Sequence, residues 1–203
     1  NAEINRNLME VKNLSRNTAS TYFKHFIYVL REGYKEGFIE KDCIIYAEKR
    51  VKLDLAQLAG MIDVPIMKRG TKKFCITDWK TNKDEFKPTS GYMKKILVGK
   101  DWVKSDVFVP TDDRFLDPIS HLPYCKLNLY ALQLSLYAYV LECWGYELVD
   151  KGLEIIHIRP GVDPKVIRVP YLINEIELLI KYRLREIGIP FFDKDDIESN
   201  FKY

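Results

Sequence analysis

The chain has 203 residues, 47% of them hydrophobic and 30% charged, with a formal net charge of +3. These values are typical of one soluble globular domain with a sizeable core. No apolar run approaches the roughly 20 residues of a membrane span, and residues 1–16 form a polar extension without a signal-peptide core. We therefore expect a single domain over residues 1–203, cytoplasmic and without a membrane partner.

The four cysteines are scattered along the chain, and no two of them form a CxxC pair. This spacing argues against a zinc ribbon and against an iron–sulfur cluster, and it favours buried, reduced thiols. The charge is also uneven, because residues 68–104 hold eleven Lys or Arg against four Asp or Glu. Such a run is either a solvated surface or a site that attracts a polyanion.

The first half of the chain predicts a helix followed by three strands. Residues 17–37 have apolar side chains at helical spacing and glycines at the end. Strands are predicted over 43–55, 58–67 and 74–81, and the short polar links between them favour an antiparallel meander.

The second half predicts an insertion, two helices and two strands. Residues 82–125 contain scattered Gly and Pro and predict an extended insertion with at most a short strand or helix. Residues 126–145 predict a helix that is buried all round and that ends at Gly145. The remaining predictions are a buried strand over 148–160, a short strand over 165–172, and a helix over 173–188 capped by Asn174, within a C-terminal segment 173–203. The expected fold class is α/β, a sandwich around a small mixed sheet.

Each of the three predicted strands carries one acidic residue of interest. Glu48, Asp63 and Asp78 follow one another at intervals of 15 residues, so adjacent strands can bring them to one end of the sheet. Mg²⁺ is commonly held by one or two carboxylates with water and phosphate. Lys80 shares a strand face with Asp78 and can stabilise charge on a phosphate. The alternative is a surface ion pair between Asp78 and Lys80, with Asp63 in a turn.

Polar residues of the long helix also share a face. Gln133 and Tyr137 are one turn apart, and Tyr130 precedes Gln133 by three residues. A buried Gln133 must find hydrogen bonds, either at an active site or with the backbone, and Tyr137 is then either a site residue or part of the core.

Together these residues resemble the PD-(D/E)XK nuclease superfamily, in particular its RecB-like branch. The resemblance is carried by an ordered set of motifs: Glu48 in AEKRV, GxxD ending at Asp63, Asp78-Trp79-Lys80, and QxxxY from Gln133 to Tyr137. It implies a restriction-endonuclease-like core of helix, three-stranded meander, helix and strand, with an insertion between the third strand and the second core helix.

The resemblance also implies roles for these residues. Asp63, Asp78 and the backbone carbonyl of Trp79 would bind Mg²⁺ or Mn²⁺, and Lys80 would be the catalytic lysine. Gln133 and Tyr137 would position the lysine, the water or the DNA backbone. Glu48 would be an outer metal ligand or a partner of Lys80. His25 is either a further ligand or a structural residue of the first helix.

The implied substrate is DNA. Candidate DNA-binding residues are Lys83, Lys87, Lys94, Lys95 and Tyr130, with stacking surfaces on Trp102, Phe108 and Phe115; the alternative is that these aromatics pin the insertion to the body. His121 and His157 are expected to be structural.

The leading hypothesis is therefore a metal-dependent DNA nuclease, most simply an exonuclease of phage or bacterial recombination or repair. The chain has no GxxxxGK[ST] motif, so a helicase or recombination partner would supply any ATP motor. Two alternatives stay open: a DNA- or protein-binding module with a weakened nuclease fold, and an endonuclease specific for structure or sequence.

Overall fold

The computed structural model describes residues 42–159 and 162–190. The predicted first helix over 17–37, with His25, and the segments 1–16 and 191–203 lie outside the described residues. Within the described ranges the strands are β1 (Cys43–Ile45), β2 (Lys49–Leu53), β3 (Leu58–Ile62), β4 (Val64–Lys68), β5 (Lys73–Lys80), β6 (Gly91–Val98), β7 (Asp101–Pro110), β8 (Glu147–His157) and β9 (Lys165–Arg168). The α-helices there are α1 (Lys126–Cys143) and α2 (Ile173–Glu186).

The main sheet has five strands in the order β1-β4-β5-β8-β9. Its neighbours are antiparallel except β5 and β8, which are parallel and have α1 between them in the chain. Parallel neighbours require such a crossover connection. The predicted mixed α/β class is thus confirmed.

Each of the first two predicted strands is divided by a bend, so the prediction of two continuous strands was wrong. The breaks fall at residues 46–48 and at Asp63. Glu48 has a φ of 56°, which an extended strand does not allow, and its backbone N–H donates to the Asp63 carbonyl at 2.9 Å. Beyond the bend, β2 and β3 form a separate two-stranded sheet. Glu48 and Asp63 therefore lie in the bends and not on strands.

The main core lies between the sheet and the two helices. Phe74 and Ile76 of β5 belong to it, whereas Cys75 packs in a smaller cluster on the opposite sheet face. This alternation follows the period-two rule for strands. α1 is buried around most of its surface, as predicted, and α2 buries one stripe formed by Ile176, Ile180 and Leu184.

The ends of the helices agree only in part with the sequence. α1 ends before Gly145, which has a φ of +80°, a conformation that favours glycine after a helix. Asn174 is exposed inside the first turn of α2, so its predicted role as N-cap was wrong. The N-cap is Leu172, whose carbonyl accepts from Ile176 N–H and whose own N–H donates to Ser135 Oγ. Among the described residues no helix combines the length and the apolarity that a membrane span needs.

The insertion over 82–125 contains a long hairpin. β6 and β7 pair with each other and form a two-stranded sheet of their own. The sequence led us to expect at most a short strand or helix here. Lysines interrupt the apolar residues of this segment, and the long pairing therefore has only a weak local signature.

Ser135 provides a test of how α1 holds α2. Its fully buried hydroxyl accepts from Leu172 N–H at 2.9 Å and donates to Pro170 carbonyl oxygen at 3.4 Å. We expect Ser135→Ala to lower the free energy of unfolding by about 1–3 kcal/mol, because a fully buried hydroxyl and its two hydrogen bonds to the backbone are lost. Urea denaturation measures the change. Ser120→Ala, at an exposed hydroxyl bonded to Asp117, is the control, and an equal effect of the two variants would contradict the assignment.

Candidate active site

Asp78 and Lys80 lie at the end of β5 on the face that packs towards α1. They continue the alternation of Phe74 and Ile76. Asp78 is only 2% exposed, and the Lys80 ammonium forms an ion pair with its Oδ2. The ion pair is therefore buried and not on the surface, whereas Asp63 lies in a bend, as the same alternative expected.

Asp63 lies in the bend between β3 and β4, next to Asp78 and Lys80. The last register pair of β4 and β5 joins Val64 to Thr77, so one step further along these antiparallel strands Asp63 lies opposite Asp78. The Asp63 Oδ2 accepts a hydrogen bond from the Trp79 N–H at 3.2 Å. The bend thus turns the Asp63 carboxylate onto the backbone of β5, between Asp78 and Lys80.

The electrostatics of Asp78 are dominated by its burial. Desolvation raises its pKa from 3.8 to about 6, opposed by the Lys80 ammonium and reinforced by the Asp63 carboxylate. Its Oδ2 is buried and contacts the Lys80 ammonium. A buried carboxylate oxygen in this condition is costly.

Lys80 is supported from the side of α1 by an aromatic ring. Its ammonium lies 4.6 Å from the centroid of the Tyr130 ring, which attracts a cation. The Tyr130 hydroxyl donates to Asn82 Oδ1 at 3.0 Å. The Asn82 carbonyl meets Nε2 of the buried His157 at 2.8 Å, and Phe86 stacks on the His157 ring and packs edge-on against Tyr130.

Sequence reasoning missed Asn82 and Phe86 and treated His157 only as structural. Asn82 follows Lys80 by two residues, so period two could have placed it on the same face. The pairing of Lys80 with His157 across β5 and β8 has no local signal, because it depends on how distant strands align.

The two residues of the QxxxY motif contact each other and the GxxD motif. Gln133 Nε2 donates to the Tyr137 hydroxyl at 3.0 Å. Gln133 therefore finds a hydrogen bond, as expected, and its partner is a side chain. The Tyr137 ring lies against Gly60, where an added Cβ would be 2.4 Å from Tyr137 Cε1. This contact gives a steric reason for glycine at the first position of GxxD.

The other candidates occupy the periphery. The Glu48 side chain is exposed, and only its backbone contacts Asp63. Lys83, Lys94 and Lys95 are exposed, and Lys87 is half-buried with its ammonium 5.9 Å from the Phe108 ring centroid. Phe115 packs against the core, while His121 contacts Glu175 on the surface at 2.9 Å. Their predicted roles in catalysis or DNA binding stay predictions, as does metal ligation by the Trp79 carbonyl.

The carboxylates fit a hard divalent cation with few protein ligands. No group of three or more His, Cys, Asp or Glu side chains within 42–159 and 162–190 is arranged to hold a metal. Mg²⁺, however, is often bound through one or two carboxylates, with water and substrate phosphate completing its shell. Asp63 and Asp78 supply two adjacent carboxylates, and each raises the cost of ionising the other.

A scan of protein-family models and searches of curated proteins and of solved structures found no match to this chain. The candidate site combines the buried Asp78, the half-buried Asp63, one lysine in contact with Asp78, and the Tyr130 ring of α1 beside that lysine.

The contact between Gly60 and Tyr137 yields a prediction of coupling. Replacing a strand glycine by alanine usually stabilises by about 0.4–1 kcal/mol through the unfolded chain, but here the new methyl overlaps the Tyr137 ring. We expect Gly60→Ala to destabilise by about 1–3 kcal/mol. In a Tyr137→Ala background the same substitution should cost much less. Additive effects in the double-mutant cycle would show that the two residues do not press on each other.

The raised pKa of Asp78 predicts how stability depends on pH without metal. Between pH 3.8 and about 6 the folded state keeps a proton that the unfolded chain has released, so the free energy of unfolding falls as the pH rises through this window. Chemical denaturation in EDTA across that window should reveal the fall in the wild type, on the order of 1–3 kcal/mol. Asp78→Asn should remove it. Identical pH profiles for the two proteins would contradict a buried, proton-binding Asp78.

Proposed function

We propose that the chain is a Mg²⁺- or Mn²⁺-dependent phosphodiesterase that hydrolyses DNA, of the PD-(D/E)XK type and its RecB-like branch. The observation that carries the proposal is the buried Asp78 with the half-buried Asp63 and with Lys80 beside it at the end of β5. A purely structural ion pair needs one carboxylate for one lysine. A second carboxylate on the same spot raises the cost of burial, and a divalent cation offsets it.

In this proposal each residue has a distinct task. Asp63 and Asp78 would hold the cation, which when bound polarises a phosphate oxygen and lowers the pKa of a water. Lys80 places positive charge beside the same point, where it stabilises the charge that develops on the phosphate or orients the attacking water. Tyr130 keeps the Lys80 ammonium at the site through its ring face.

The order of the elements supports the proposal. Three antiparallel runs of strand (β1 with β2, β3 with β4, and β5) are followed by α1 and by β8 beside β5. This is the order of meander, helix and strand that the resemblance implies. The contact of Tyr137 with Gly60 adds that the QxxxY and GxxD motifs meet in space.

The proposed substrate and setting follow the resemblance and the charge. Lysines around the site, among them Lys83, Lys87, Lys94 and Lys95, favour a polyanion. The proposed reaction within the class is exonuclease action in phage or bacterial recombination, repair or DNA processing, in the cytoplasm and beside a helicase or recombination partner.

A cleavage assay tests the proposal. End-labelled linear and covalently closed circular DNA, single- and double-stranded, are incubated with the purified chain and Mg²⁺ or Mn²⁺. We expect loss of linear DNA, abolished by EDTA and reduced by at least about a hundredfold in Lys80→Ala and in Asp78→Asn. Lys80 would stabilise the transition-state charge directly, and Asp78 would do so through the cation it holds. Lys80→Arg keeps the charge but not the shape or proton chemistry of lysine and should also be impaired.

The matched control is Lys72→Ala, at an exposed lysine just before the other end of β5, which should leave cleavage unchanged. Cleavage of circles would assign an endonuclease. DNA binding without cleavage of any substrate would favour the binding module. Equal activity of Lys80→Ala and Lys72→Ala would contradict a catalytic role of Lys80 and the active site proposed around it.

A further inference from the structure

The hairpin of β6 and β7 exposes an unusual amount of apolar surface. Seven of the fifteen exposed large hydrophobic side chains of the described residues lie on this ribbon of 91–110. Trp102, at 68%, is the most exposed aromatic among them. Exposed apolar clusters of this kind mark binding surfaces more often than scattered single residues do.

The register separates the ribbon into two faces. Residues paired across the strands share a face, as do residues two apart on one strand. Lys95 pairs with Lys104, and Leu97 pairs with Trp102, so these four side chains occupy one face near the tip. We call it the tryptophan face.

The opposite face has a different character. It carries the pairs of Ile96 with Val103 and of Val98 with Asp101. The tryptophan face therefore combines a cross-strand pair of lysines with an aromatic ring near the tip, whereas the carboxylate of Asp101 lies on the other side. Lys95 has no carboxylate partner within the described ranges, and Lys104 pairs with Asp84.

The hairpin contacts the segment that follows β5. Phe108, paired with Met93, lies beyond the register shift between Met93 and Lys95, and the Lys87 ammonium lies over its ring at 5.9 Å. Lys104 meets Asp84. Asp84 and Lys87 follow Lys80 by four and seven residues, so the tryptophan face is on the side of the chain that extends from β5.

We propose that the tryptophan face binds an unpaired stretch of the DNA strand, with a base stacked on Trp102 and phosphates near Lys95 and Lys104. The inference rests on the proposed nuclease function and names the strand form that the site engages. An exposed aromatic beside a pair of lysines matches single-stranded nucleic acid, which offers open base faces and a negative backbone. Pairing of two copies through this face would bring lysines onto lysines, which is unfavourable.

Binding of a labelled oligo-dT of about 20 nucleotides to the whole chain tests this, in a Lys80→Ala background that prevents cleavage. Fluorescence anisotropy is measured across a salt series. Trp102→Ala should weaken binding by about tenfold or more, whereas Trp102→Phe, which keeps a stacking ring, should stay within about threefold. Replacing Lys95 by Ala should flatten the salt dependence. Tyr182→Ala, at an exposed aromatic of α2, is the matched control.

Several outcomes would overturn the inference. Equal binding by Trp102→Ala and Tyr182→Ala would do so, as would an equal loss for a blunt duplex, which has no unpaired base to stack. Sedimentation velocity that shows a dimer dissociated by Trp102→Ala would assign the face to a second copy instead. Failure of the nuclease proposal looks different: oligo-dT binds through Trp102, but the unmodified chain cleaves no DNA.

Discussion

The buried carboxylate of Asp78 is the constraint on which the described structure depends. A carboxylate at 2% exposure must find compensation, and the chain supplies only part of it through the Lys80 ion pair. The Asp63 carboxylate beside it raises the pKa of Asp78 further. Two adjacent carboxylates with one lysine are costly to bury, and in the proposed function a divalent cation would offset that cost.

The two bends and α1 position the carboxylates of Asp63 and Asp78. The positive φ of Glu48 and its hydrogen bond to the Asp63 carbonyl interrupt both strands at one level, so that the Asp63 side chain can turn towards β5. α1 then closes the site from its sheet-facing side, with Tyr130 against Lys80 and Tyr137 against Gly60. The same helix bonds α2 through Ser135, so the site's wall is also a principal support of the core.

Features that follow from local periodicity were predictable from sequence. Spacing of 2 residues placed Asp78 and Lys80 on one face. Spacing of 3.6 residues indicated the buried helix before Gly145 and the helix over 173–188. The bends were missed because glutamate at position 48 is not a residue type that indicates a positive φ. Phe86 was missed because its contacts with His157 and Tyr130 depend on the alignment of β5 with β8 and on the packing of α1. His157, expected to be structural, is buried and contacts the Asn82 carbonyl. The long hairpin was missed because its strands pair only with each other, and no core face imposes a clean alternation.

Calorimetric titration of Mn²⁺ into the metal-free whole chain measures whether Asp63 and Asp78 bind a cation independently of any substrate. We predict saturable binding that releases a proton near pH 6, where Asp78 is partly protonated. Binding should be lost in Asp78→Asn and in Asp63→Asn and kept in Lys72→Ala. Absence of binding to the wild type, or equal binding by Asp78→Asn, would contradict it.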